Sequence, residues 1–175
     1  MTAPITIDDY DPGWPAQFET LRPRIAAALD ALATAIEHVG STAVPGLAAK
    51  PIIDIDVLLR SAADLPLAIT KLASLGYAHR GDLGIPGREA FRTPPNVFPH
   101  HLYVWLAGAR EFQRHIAFRD YLRTHPQDAN AYATLKRKLA GKSATDREAY
   151  TQAKTEFVEA ILRRAGQDKT FHASK

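Results

Sequence analysis

An α+β domain is the fold class that the sequence predicts, and three observations carry it. "PIIDIDVLL" (51–59) is a β-branched run with the alternation of a strand. Phe18, Leu21, Ile25, Leu29 and Leu32 recur at the three- and four-residue steps of a helix. From Glu111 onward three helical patterns follow one another, so strands come first and a helical section packs on them. A chain of 175 residues has room for one ordinary domain with a core of its own.

Taken in order, Ile5 to Ile7 is β-prone and leads into the turn-rich "DDYDPGW", where Tyr10 and Trp14 read as core anchors. The helical run over 18–32 contains Pro23, which must kink one helix or start a second, because proline has no N–H to give. Ala35 to Val39 reads as a strand ending at Gly40; "STAVPGLAA" allows a short helix at most, and the β-branched strand follows. Asp64 to Leu75 is an amphipathic helix stopped at Gly76. Turn residues at 81–87 and 94–96 frame two strand candidates, Glu89–Arg92 and His101–Leu106, which predicts a hairpin or meander. Phe112, Ile116 and Leu122 mark the next helix, and Ala129, Tyr132, Leu135 and Leu139 mark another, opened by Pro126. Ala149, Ala153, Phe157 and Ile161 mark the last, with Thr145 and Glu148 as its capping box and Gly166 as its stop. The expected domain is 1–166, with a core of about 1–108, a helical extension of about 109–166, and a frayed tail at 167–175.

Composition removes several classes of function. There is no cysteine, which excludes disulfides, thiolate zinc sites and thiol nucleophiles. No apolar run approaches the ~20 residues of a membrane span, and "MTAPITIDDY" lacks the pattern of a signal peptide, so a cytoplasmic protein without a membrane partner is expected. The net charge is only +3, but residues 110–175 carry fourteen Lys and Arg against eight Asp and Glu. That excess can hold a phosphate-bearing ligand, whereas no basic tail with interleaved aromatics points to nucleic acid. A Walker A loop, a dinucleotide fingerprint, an HExxH helix and a GxSxG elbow are all absent.

The chemistry concentrates in "HVGSTAVPGLAAKPIIDIDV" (38–57). In a strand alternate side chains share a face, so Asp54 and Asp56 project together while Ile53, Ile55 and Val57 point to the core. Two carboxylates so placed repel one another. A hard cation such as Mg2+, or Mn2+ in its place, resolves the repulsion by sitting between them and bridging to ligand phosphates. Just ahead, Gly40 and Ser41 lie where a strand hands over to a helix start, and backbone N–H groups with a hydroxyl there can hold a phosphate. Thr42 either caps that turn or adds a second hydroxyl. His38 orients the loop by hydrogen bonding. Lys50 neutralises phosphate or pairs with an acid, and Arg88, in "GIPGR", reaches a ligand or is simply solvated.

"VGST" followed by "DIDV", with twelve residues between Ser41 and Asp54, resembles the signature of the nucleotidyltransferase fold superfamily. "YDPGWPAQFE", "GIPGREAFR", "HHLYV", "FRDYLRTHP", "YATLKRKLA" and "DREAYTQAKTEF", together with the 38–57 stretch, resemble in order the GrpB family of predicted nucleotidyltransferases. The resemblance implies a nucleotidyltransferase-like mixed β-sheet flanked by helices, with a C-terminal helical extension. It implies a Mg2+-nucleotide on Asp54 and Asp56, phosphates on Gly40 and Ser41, and transfer from a nucleoside triphosphate to a small-molecule acceptor. Arg119, Lys136 and Lys154 match the family pattern on the extension, as a basic wall over the nucleotide or as charged helix faces. Fusion of GrpB-like domains to dephospho-CoA kinase implies a link to nucleotide or coenzyme A metabolism. Active members of the superfamily carry a third carboxylate on a neighbouring strand; the corresponding "HHLYV" offers His101 and Tyr103 on one face and no acid. His101 is then the expected base, and the alternative is a non-catalytic nucleotide- or coenzyme-binding module.

Overall fold

The structure is a computed structural model in which residues 6–140 and 147–166 are described. Its sheet is built from β1 (Ala33–Val39), β2 (Ile53–Leu59), β3 (Ala78–His79), β4 (Arg88–Arg92) and β5 (His100–Trp105). The order is β1-β2-β5-β4-β3. The β2–β5 pair is parallel and every other pair antiparallel, so the sheet is mixed. The helices are α1 (Trp14–Leu29), α2 (Leu65–Ala73), α3 (Arg110–Thr124), α4 (Pro126–Ala140) and α5 (Arg147–Arg164). The α+β expectation holds.

Alternation in β2 decides which face is which. Ile53, Ile55 and Val57 are fully buried and pack, with Leu102 and Val104 of β5, against Phe18, Leu21, Ile25 and Leu29 of α1 and Ala68 and Leu72 of α2. A second apolar cluster lies apart from the first: Leu122 of α3, Ala129, Tyr132 and Ala133 of α4 and Ile161 of α5 close on Val44, Leu47 and Ala48 of the loop after β1. Phe118 meets Tyr132 edge-on, and Tyr132 stacks on Phe157, so aromatic rings tie the three extension helices together. The other face of β2, carrying Asp54 and Asp56, is turned toward this extension.

Several local expectations change. Pro23 neither breaks nor restarts α1, which runs unbroken from Trp14 to Leu29. The lost bond is the one to Glu19, on the exposed side, while five buried residues hold the opposite face to the sheet. The helix stops short of Leu32 because Asp30 takes a positive φ of 48°; a single 3-10 turn then carries Leu32 back into the same core. "STAVPGLAA" forms only one 3-10 turn, Ser41–Ala43. β3 went unread because two residues show no alternation. Near the N-terminus, Asp8 bridges to Ala49; Ile5, Thr145 of the expected capping box and the tail at 167–175 lie outside the described residues.

The central strand carries the core. Ile55→Ala should lower the unfolding free energy by about 3–4 kcal/mol, against less than about 0.5 kcal/mol for Leu67→Ala at a half-exposed position of α2, both read by urea denaturation.

Candidate functional site

Gly40 ends β1 and turns the chain down onto β2. Its φ is +71°, a region open to glycine, and a Cβ there would lie 2.3 Å from Asp54 Oδ2. Glycine is therefore required twice, by conformation and by the approach of the loop to a carboxylate. Beyond it, the Ser41 hydroxyl accepts a hydrogen bond from Lys136 Nζ at 2.8 Å. Thr42 points inward: it is 1% exposed, and its hydroxyl is hydrogen-bonded to His38 Nε2 at 2.9 Å. Burial pushes the His38 ring down to about 4, with Arg123 and Arg119 adding to the effect and Asp54 opposing it. The neutral ring stacks on Phe18 at 4.9 Å between centroids. His38 thus orients the loop through Thr42, as the sequence suggests.

Asp54 and Asp56 share one face of β2 and line one cavity. Each is held by a histidine. His101 of β5, in register with Asp54, places Nδ1 at 2.8 Å from Asp54 Oδ1. His115 of α3 places Nδ1 at 2.7 Å from Asp56 Oδ2. Burial alone would lower the His115 pKa, but the hydrogen bond to Asp56 and the charges of Asp56, Asp54 and Glu111 outweigh it and raise the value above the ordinary one. Asp56 is 0% exposed, and its Oδ1 has no hydrogen-bond partner. A sealed carboxylate oxygen without a donor is costly, and it marks a place that a cation or donor would fill.

The cations are distributed unevenly. Lys136 is buried; its ammonium bonds Ser41 Oγ and the Ala48 carbonyl and lies 4.7 Å above the Tyr132 ring. Burial pushes its pKa down to about 7, Lys154 and Arg137 push the same way, and Asp54 opposes them. Lys50, exposed, and Lys154 line the cavity on this side. Arg88 does not line it: the guanidinium sits 4.8 Å over the Tyr103 ring and donates to the Asp82 carbonyl. Arg119 is a clamp rather than a wall, bonding Glu37 at 2.7 Å and the His38 carbonyl at 3.0 Å, while Arg123 holds the Ala43 carbonyl. Glu89 is paired with His79 and lies away from the acids.

Two cavities adjoin at Asp54, Tyr103 and Lys154. One, of about 410 Å3, is polar at its walls, with Ser41, Thr42, Lys50, His101 and Lys136. The other, of about 570 Å3, lies between the sheet and α3 and α5 and includes Gly40, Asp56, His115 and Arg114. The sequence reading missed His115 and Arg114. The signal was present in α3: titratable residues 114, 115 and 119 fall within the turns bounded by the core positions Phe112 and Leu122.

A family model described as "GrpB protein" matches residues 4–164. The crystal structure of a conserved GrpB protein from Enterococcus faecalis superposes with a TM-score of 0.81 at 35% identity, covering 91% of this chain and 96% of that one. The UPF0157 protein YqkA of Bacillus subtilis is 36% identical over 149 residues, and a UPF0157 protein of Pseudomonas aeruginosa is 45% identical over 160. The matches cover 85% and 89% of this chain but 43% and 65% of those two relatives, so the chain spans under two thirds of either. No helix among the described residues is long and apolar enough to cross a membrane.

Gly40→Ala should destabilise the fold by more than about 1 kcal/mol and by more than Gly46→Ala, whose φ is also positive but whose Cβ would meet nothing within 4 Å; urea unfolding of the pair isolates the clash with Asp54. Because the folded pKa of His38 lies below the unfolded one, its stabilisation is complete above pH ~6.5 and is lost as pH falls toward 4. Between pH 7.5 and 4.5 the wild type should lose about 2–3 kcal/mol more than His38→Gln, measured by unfolding at both pH values.

Proposed function

The chain belongs to the GrpB family, and on that premise we propose that it binds a nucleoside triphosphate with Mg2+, or Mn2+ in its place, and transfers the nucleotidyl group to a small acceptor. The observation that carries this reading is the pair Asp54 and Asp56 on one face of β2, with Asp56 Oδ1 sealed and without a partner, beside a cavity lined by lysines. Among the described residues no group of three or more His, Cys, Asp and Glu gathers as a metal cage. Two carboxylates completed by phosphate oxygens and water are nevertheless the usual set for Mg2+, so the residues fit the ion. When bound, it would neutralise charge on the transferring phosphoryl group.

Ser41, Lys50, Lys136 and Lys154 supply the binding of the β- and γ-phosphates, and Gly40 lets the loop approach. An acceptor oxygen attacks the α-phosphorus, the bond to the bridging oxygen breaks, and pyrophosphate leaves toward the lysines. In-line displacement puts the attacking oxygen on the opposite side. His101 lines the phosphate side, where it fixes Asp54; His115 lines the other cavity with Nδ1 already committed to Asp56. The role of base, expected at His101, fits His115 better, with its remaining ring nitrogen taking the acceptor proton. A second reading, a nucleotide- or coenzyme-binding module without transfer, is favoured by one observation: the β5 positions beside the acids, His101 and Tyr103, include no third carboxylate.

Calorimetric titration should show Mg-ATP or Mg-GTP binding to the wild type, weakened at least tenfold, about 1.4 kcal/mol, by Asp54→Asn or Asp56→Asn. Absence of binding at millimolar nucleotide overturns both readings. Incubation with α-labelled nucleotide and a metabolite extract then separates them, since only the transferase yields a labelled adduct.

A further inference from the structure

The larger cavity shares Lys154 with the smaller one but differs from it in its walls. Val39 of β1, Phe118 of α3, and Val158 and Leu162 of α5 give it apolar walls. Its volume of about 570 Å3 lies in the range that holds drug-sized ligands, ~300–1,000 Å3. Within this lobe sits Arg114, 4% exposed, whose guanidinium is shared between Glu111 at 3.2 Å and Glu159 at 2.5 Å. One cation between two carboxylates leaves the far end of the lobe negative; at its mouth Asp54 and Asp56 face Lys154 and His115, so four carboxylates line the lobe against the fixed cations Arg114 and Lys154. The Arg114 Nη1 group has no acceptor and is sealed from water, a cost that persists until an acceptor atom reaches it.

We infer that this lobe is the acceptor site and that it takes a small hydroxyl compound with an apolar body and a neutral or cationic polar end, excluding anions. The assignment rests on the nucleotidyl-transfer reading, which holds pyrophosphate on the lysine side and brings the nucleophile from the opposite one. An acceptor phosphate or carboxylate would be pushed against Glu111 and Glu159 and would meet a guanidinium already neutralised. A carbonyl, ether or hydroxyl oxygen instead satisfies Nη1 without adding charge, while the apolar walls select for carbon.

The test uses the full chain and three probes matched in size: 4-hydroxybenzamide, tyramine and 4-hydroxybenzoate. The methyl resonances of Val39, Val158 and Leu162 report occupancy. The amide and the amine should shift them saturably, and the carboxylate should bind at least tenfold more weakly. Val158→Phe, which fills the lobe without touching its charges, should abolish the shifts of Val39 and Leu162 while leaving the Mg-ATP titration in place. Arg114→Lys should weaken the amide at least fivefold by removing the Nη1 donor. Absence of saturable shifts with the amide and amine, equal binding of the carboxylate, or displacement of the probes by Mg-ATP from these methyls overturns the assignment. Selective probe binding by a chain that fails to bind Mg-ATP brings down the nucleotide reading and leaves the ligand class of the lobe standing.

Discussion

The structure is organised around one electrostatic constraint: Asp56 stands on a central strand with no exposed surface. A buried carboxylate is tolerated only with charge or hydrogen bonds to meet it, and the hydrogen bond that Asp56 accepts comes from outside the sheet. The compensation comes from α3, through His115, and the neighbouring Asp54 is met by His101 of β5. The helical extension is therefore not an accessory laid over a finished domain. It supplies a partner that the central strand lacks.

Its attachment is both polar and apolar. Arg119 bonds the His38 carbonyl, Arg123 the Ala43 carbonyl, and Lys136 the Ala48 carbonyl and the Ser41 hydroxyl, so long side chains from α3 and α4 reach across to the loop after β1. Together they fix the backbone of that loop, while the apolar cluster around Leu122 and Tyr132 supplies the packing. The first core, under α1 and α2, contains none of these groups. The main apolar core and the two carboxylates thus lie on opposite faces of the sheet.

What the sequence reveals and hides follows from range. Alternation in "PIIDIDVLL" is a local property, and it correctly places two acids on one side and three branched residues on the other. The role of His38 is also local, since its partner Thr42 lies four positions on, in the same turn. The partners of the acids are another matter. His101 lies 47 residues from Asp54 and His115 lies 59 from Asp56, separations that no periodicity encodes. His101 is visible only because its strand resembles a known one, and His115 hides one position from a hydrophobic stripe. Arg119, read as a basic wall or a charged helix face, bonds Glu37 and the His38 carbonyl, and Thr42, read as a cap or a second hydroxyl, bonds His38; a count of functional groups cannot foresee those partners.

The long separations order events in time. A chain leaving the ribosome presents Asp54 and Asp56 well before His115, and Lys136 follows Ser41 by 95 residues. The early strands can pair only with their carboxylates still hydrated, because nothing emerged so far can take the place of that water. The arrival of the last three helices both dries Asp56 and builds the walls of the cavity, so a nascent chain completes the cavity and the desolvation of that acid in a single late step.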